Sequence, residues 1–84
     1  MTYAVSILRR AQKELQQLPR EDYERVRDAI RALAHEPRPA GCLVLPGRAG
    51  WRIRVGTYRV IYEINNAQRN ITILHVGHRR DVYR

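Results

Sequence analysis

The chain contains one cysteine, Cys42, and one lysine, Lys13, in 84 residues. A lone cysteine excludes an internal disulfide framework and is too little for a zinc site. No stretch approaches the roughly 18 consecutive apolar residues of a membrane span. The opening Met1-Thr2-Tyr3-Ala4-Val5-Ser6 is too short and too polar for a signal peptide. Internal repeats and low-complexity tracts are missing as well. These absences predict a single cytoplasmic domain over residues 1–84, away from membranes and with neither metal nor cofactor.

Acidic residues are also few, and this shortage is the first functional signal. Eight acids face sixteen bases, for a net charge of +8, and fifteen of the sixteen bases are arginine. Arginine is planar, always charged and able to grip a phosphate through two donors at once. Residues 1–40 carry eight bases and six acids, whereas residues 41–84 carry eight bases and only two acids. The second half therefore dominates the field, and such an excess implies a polyanion, an acidic protein partner, or both.

Hydrophobic periodicity supplies the architecture. Tyr3 to Ile7 alternates as a short strand. Leu8, Ala11, Leu15 and Leu18 then recur at helical spacing, as do Tyr23, Val26, Ile30 and Leu33 after Pro19. Pro19 separates the two helices and suits the first turn of the second, where Glu21, Asp22 and Glu24 favour the positive dipole end. Pro37 and Pro39 stop that helix. Cys42 to Leu45 reads as a short edge strand or its lead-in. Trp51–Val55 and Tyr58–Ile64 flank Gly56-Thr57, the pattern of a tight hairpin with a II′ turn. Ile71 to Val76 is the last strand. The sequence thus predicts an α+β fold of order β-α-α-β-β-β, with two antiparallel helices on one face of a small, mainly antiparallel twisted sheet.

A two-residue loop fixes the hairpin register. Val55 pairs with Tyr58, Ile53 with Val60 and Trp51 with Tyr62, and all six must face the helices. On the opposite face Arg54 lies across from Arg59, and Arg52 across from Ile61, with Glu63 near the far end. Like charges directly opposite cost about 0.2–1 kcal/mol. A fold that tolerates this cost without an acid across the rung points to a phosphate site. Beyond the last strand come Gly77-His78-Arg79-Arg80-Asp81-Val82-Tyr83. Gly77 permits a bend that would return His78 and Arg79 to the arginine face. His78 can move protons near neutrality, and Tyr83 can stack on a base.

The segments Trp51-Arg-Ile-Arg-Val-Gly-Thr-Tyr-Arg-Val-Ile-Tyr-Glu63 and Val76-Gly-His-Arg-Arg-Asp-Val-Tyr83 resemble the RelE family within the RelE/ParE toxin superfamily. The resemblance covers essentially the whole chain. It implies a single RelE-like domain acting as the toxin of a type II toxin–antitoxin system: a ribosome-dependent mRNA endonuclease. In such enzymes the 2′-hydroxyl attacks the adjacent phosphate without a metal. It further implies mRNA in the ribosomal A site as substrate, a cognate acidic antitoxin as partner, and operator DNA reached through the toxin–antitoxin complex. By motif position, Arg59 would stabilise the phosphate, Arg79 would support phosphate and leaving group, and Tyr83 would orient or activate the nucleotide. Arg80 would join Arg52, Arg54 and Arg59 in binding phosphate.

Arg52 and Arg54 stand where some members carry lysines. An arginine with a pKa above about 12 cannot serve as a general base. Both are therefore confined to electrostatic work, Arg54 within the catalytic set, and the proton falls to His78 or Tyr83. His75, within a strand, is the weaker candidate. Two other readings remain open at this stage: a ParE-like gyrase-inhibiting toxin, and a non-catalytic nucleic-acid-binding or co-repressor module.

Overall fold

The structure, a computed structural model, describes residues 2–47 and 49–78. Along the chain run β1 (Ala4–Ile7), α1 (Arg9–Gln16), α2 (Arg20–Ala32), β2 (Leu43–Val44), β3 (Trp51–Val55), β4 (Tyr58–Asn65) and β5 (Asn70–His78). The strands form one sheet in the order β1-β5-β4-β3-β2. Only β1 and β5 are parallel; every other neighbouring pair is antiparallel. The expected α+β architecture is the observed one, and the stretch around Leu43 proves to be a short edge strand.

The helical stripes do what their spacing requires. Ala11 and Leu15 of α1, and Val26 and Ile30 of α2 with Leu33 just beyond it, are buried against Ile53, Val60, Tyr62, Ile71, Ile73 and Val76 of the sheet. Leu8 departs from the expectation: it caps α1 in an extended conformation and remains 46% exposed. Pro19 likewise stands one residue ahead of α2, at its cap, rather than inside the first turn. Tyr62, fully buried, donates its hydroxyl to the Pro37 carbonyl at 2.7 Å, tying the sheet to the segment that leaves α2.

A bulge reconciles β5 with this core. Ile61 pairs with His75 while the next residue of β4, Tyr62, pairs with Ile73, so Leu74 is the extra residue. The slip allows Ile71, Ile73 and Val76 to share the helix face despite their unequal spacing. It also joins Leu74 to Ile61 and Leu45 in a second, smaller apolar cluster. Beyond Ile73, where β1 has ended, α1 seals the flank of β5. Glu14 accepts the Val76 N–H at 2.9 Å and holds His75 Nδ1 at 2.7 Å.

Candidate phosphate-binding face

The hairpin turn places Gly56 at φ +61°, while Thr57 is not among the positive-φ residues. This is the II′ geometry whose twist suits two antiparallel strands. The register follows as expected: Val55↔Tyr58, Arg54↔Arg59, Ile53↔Val60, Arg52↔Ile61 and Trp51↔Tyr62. Trp51, Ile53, Val55, Tyr58, Val60 and Tyr62 all lie in or against the core under the helices. The arginines occupy the other face.

Arg52, Arg54 and Arg59 line a groove of about 470 Å³ together with Leu43, Val44, Leu45 and Pro46. Their environments differ sharply. Arg54 is exposed, Arg59 half-buried, and Arg52 only 4% exposed, the one buried charged residue among those described. Burying a charge is costly unless something compensates it. Yet neither Arg52 nor Arg54 makes an ion pair among the described residues. Beyond Arg59 the rung continues to Gly77, which places no side chain over the guanidinium groups. The groove thus combines three arginines with an apolar wall, and the rung beside them continues to a glycine. It can hold a phosphate with an adjoining apolar group.

The residues following this face do not all join it. Gly77 is an ordinary strand residue, so the bend expected there does not occur, and β5 continues through His78. His78 pairs with Tyr58 and meets its ring edge-on, with centroids 6.0 Å apart and planes at 82°. Tyr58 in turn donates to Asp22 Oδ2 of α2 at 3.3 Å. Burial first, and then the Asp22 charge and hydrogen bond, raise the Tyr58 phenol above its ordinary range. His78 therefore sits on the helix face, across the sheet from Arg54 and Arg59. Strand alternation decides this: directly paired residues share a face, and Tyr58 belongs to the core side.

His75 is held by Glu14 and lies 3.5 Å from Arg10 Nη2 through Nε2. If Nδ1 donates to the carboxylate, Nε2 is the acceptor, so His75 reads as part of a staple between α1 and β5. Arg79, Arg80 and Tyr83 lie outside the described residues. Among the described residues, no three His, Cys, Asp or Glu side chains converge where a metal could sit. No helix among them is long and apolar enough to cross a membrane. The apolar wall went unrecognised in the sequence. Its only signal was the run Cys42-Leu43-Val44-Leu45, too apolar for a strand with one solvated side.

Residues 5–83 match the model of a family described as the ParE toxin of the type II toxin–antitoxin system, parDE. The chain belongs to the RelE/ParE toxin superfamily. This toxin is 35% identical over 86 residues to Toxin RelG of Mycobacterium tuberculosis, an alignment covering 100% of this chain and 99% of that one. Its structure is similar to the archaeal RelE–RelB complex from Pyrococcus horikoshii, with TM-score 0.84 and 35% identity, covering 98% of this chain and 100% of that chain. It is also similar to the RelBE2 toxin–antitoxin complex of Mycobacterium tuberculosis, with TM-score 0.83 and 28% identity, covering 94% and 100%. The toxin is thus a type II toxin of this superfamily.

Proposed function

We propose that this toxin is an endoribonuclease that cleaves mRNA in the ribosomal A site and is neutralised by a cognate acidic antitoxin. The observation that carries this reading is the rung Arg54–Arg59–Gly77 beside buried Arg52, two arginines paired across the hairpin and lining one groove, with a glycine as the next residue of the rung. In the reaction the 2′-hydroxyl oxygen attacks the adjacent phosphorus and loses its proton. The 5′-oxygen of the next nucleotide departs and gains one, leaving a 2′,3′-cyclic phosphate and a 5′-hydroxyl. Negative charge builds on the phosphoryl oxygens along the way. Arg59 and Arg54 stabilise that charge, and preorganised donors of this kind are worth about 10²–10³ in rate each. Arg52 and Arg80 bind flanking phosphate, and Arg79 supports the leaving group.

The arginines cannot accept the proton, and His78 lies on the opposite side of the sheet. Tyr83 is therefore the group we assign to proton transfer or nucleotide orientation. Primer-extension mapping of mRNA in a purified translation system tests the assignment, with and without ribosomes. Wild-type toxin should cut, and Arg59→Ala and Tyr83→Phe should each cut at least about 100-fold more slowly. Cuts that persist at full rate in both variants would refute it. The matched family's description as ParE favours one second reading, a gyrase-inhibiting toxin. Intact mRNA together with a DNA-damage response on expression would establish that reading instead.

A further inference from the structure

The face that carries Arg54 and Arg59 does not end at the arginines. Strand alternation puts Glu63 and Asn65 of β4 on the same side as Arg59, and Thr72 and Asn70 of β5 pair with them. These four polar residues line a second groove, of about 660 Å³. Val44 belongs to both grooves and is 60% exposed, so one open apolar surface joins them. Glu63 lies four residues beyond Arg59 in β4, a distance of about 13 Å at roughly 3.3 Å per residue.

The two grooves differ in charge. Three arginines line the first, whereas among the described residues the second has no basic side chain and Glu63 is its one acid. Glu63 is exposed and makes no ion pair among the described residues. β3 begins opposite Tyr62, so no β3 residue pairs with Glu63, and its partner in β5 is the neutral Thr72. A carboxylate at the end of a phosphate-binding face repels the backbone of a nucleic acid and attracts the donor groups of a base. Asn65 is oriented to complete such a contact. Its Oδ1 accepts the Gln68 N–H at 3.0 Å, which leaves the side-chain NH2 to donate elsewhere. Asn70 braces the same turn, donating to Gln68 Oε1 at 3.4 Å.

We propose that this second groove reads a guanine base of the RNA strand whose phosphate is held by Arg54 and Arg59. The two carboxylate oxygens of Glu63 accept from guanine N1–H and N2–H, the Asn65 amide donates to O6, and Val44 lies against the nucleoside. Guanine is the base whose Watson–Crick edge offers two adjacent donors beside an acceptor. Adenine and cytosine each offer one amino donor next to an acceptor nitrogen, and uracil one N–H between two carbonyls. Each of these sets an acceptor against the carboxylate. Single-stranded RNA leaves that edge free, and hydrogen bonds to a carboxylate are the stronger kind. The proposal rests on the RNA reading above and adds a base preference that phosphate contacts cannot supply.

The test is fluorescence anisotropy of the purified toxin on short uridine oligomers, made uncleavable by fluorine in place of every 2′-hydroxyl, with a single guanine moved along the chain. At one position guanine should tighten binding by about fivefold or more over the all-uridine oligomer, the low end of what a bidentate base contact discriminates. Inosine, which lacks the N2 amino group, should lose most of that gain, and 7-deazaguanine, which keeps the Watson–Crick edge, should retain it. Because Glu63 is exposed, Glu63→Ala should abolish the guanine preference with the thermal melt unchanged. Equal affinity for guanine and uridine at every position, a preference that inosine keeps in full, or one that survives Glu63→Ala would overturn the proposal. Cleavage is scored separately, by mapping cuts in mRNA in the purified translation system. A toxin that shows the Glu63-dependent preference but never cuts would refute the nuclease reading alone, and one that cuts without that preference would refute the guanine site alone.

Discussion

The three hairpin arginines share a face but differ in depth, from enclosed Arg52 through half-buried Arg59 to exposed Arg54. Arg52 is enclosed, and desolvation of its charge works against folding. Arg52→Met, of similar length and apolar, should therefore leave the melting temperature unchanged or raise it while lowering affinity for RNA, measured by thermal melt and by fluorescence anisotropy on the same sample. Tyr62 gives the opposite case, a buried polar group that is satisfied. Its hydroxyl is bonded to the Pro37 carbonyl at 2.7 Å. Tyr62→Phe leaves that carbonyl without its donor in the core and should destabilise the domain by about 1–3 kcal/mol in urea titration.

At the level of elements, the site depends on two devices that hold strands in place. The first is the II′ turn. A Cβ on Gly56 would lie at ordinary contact, 3.8 Å from the Arg25 guanidinium, so a substitution there is opposed by the backbone rather than by crowding. With φ +61°, Gly56→Val should cost about 1–3 kcal/mol of stability and slow RNA cleavage by loosening the Arg54–Arg59 rung. The second device is the Glu14 carboxylate, which gathers His75 Nδ1 and Val76 N–H beyond the end of the β1–β5 pairing at Ile73. Glu14→Ala should destabilise the toxin by roughly 1–3 kcal/mol, and amide exchange should speed up at Val76 rather than in the hairpin. Retained protection at Val76 would show that the staple is dispensable.

For the molecule as a whole, charge and burial set its response to solution conditions. Three groove arginines meeting phosphates should give single-stranded RNA binding a slope of about −2 in log K against log salt, and removal of one arginine should reduce its magnitude by about 0.7. At alkaline pH the buried Tyr62 phenol and the half-buried Tyr58 phenol make stability depend on pH. Burial chiefly, reinforced by Cys42, raises the Tyr62 pKa far above the ordinary tyrosine value, and Tyr58 is raised as well. The unfolded chain releases these protons from about pH 10 while the folded chain keeps them. Stability is therefore fully present below that point and falls as pH climbs above it. A denaturation midpoint that held steady from about pH 9 to about pH 11, one unit either side of the free phenol, would contradict this.

Much of the toxin was legible in the sequence because short-range patterns carry it. Helical spacing marked Ala11, Leu15, Val26 and Ile30 as core, and a two-residue glycine turn dictated every pair from Trp51–Tyr62 to Val55–Tyr58. The opposition of Arg54 and Arg59 followed from that count alone. What local pattern could not decide is whatever depends on a neighbour far away in the chain. The bulge at Leu74 changes which side of β5 faces the helices. The return of Leu45 over Ile61 builds the apolar wall of the groove that Arg52 lines. Pairing with Tyr58 holds His78 on the helix side, and the turn at Gly41 ends the pairing of β2 with β3. Alternation and periodicity are properties of adjacent residues, whereas the depth of a charge and the closure of a sheet edge depend on what packs across them, and only the tertiary structure decides that.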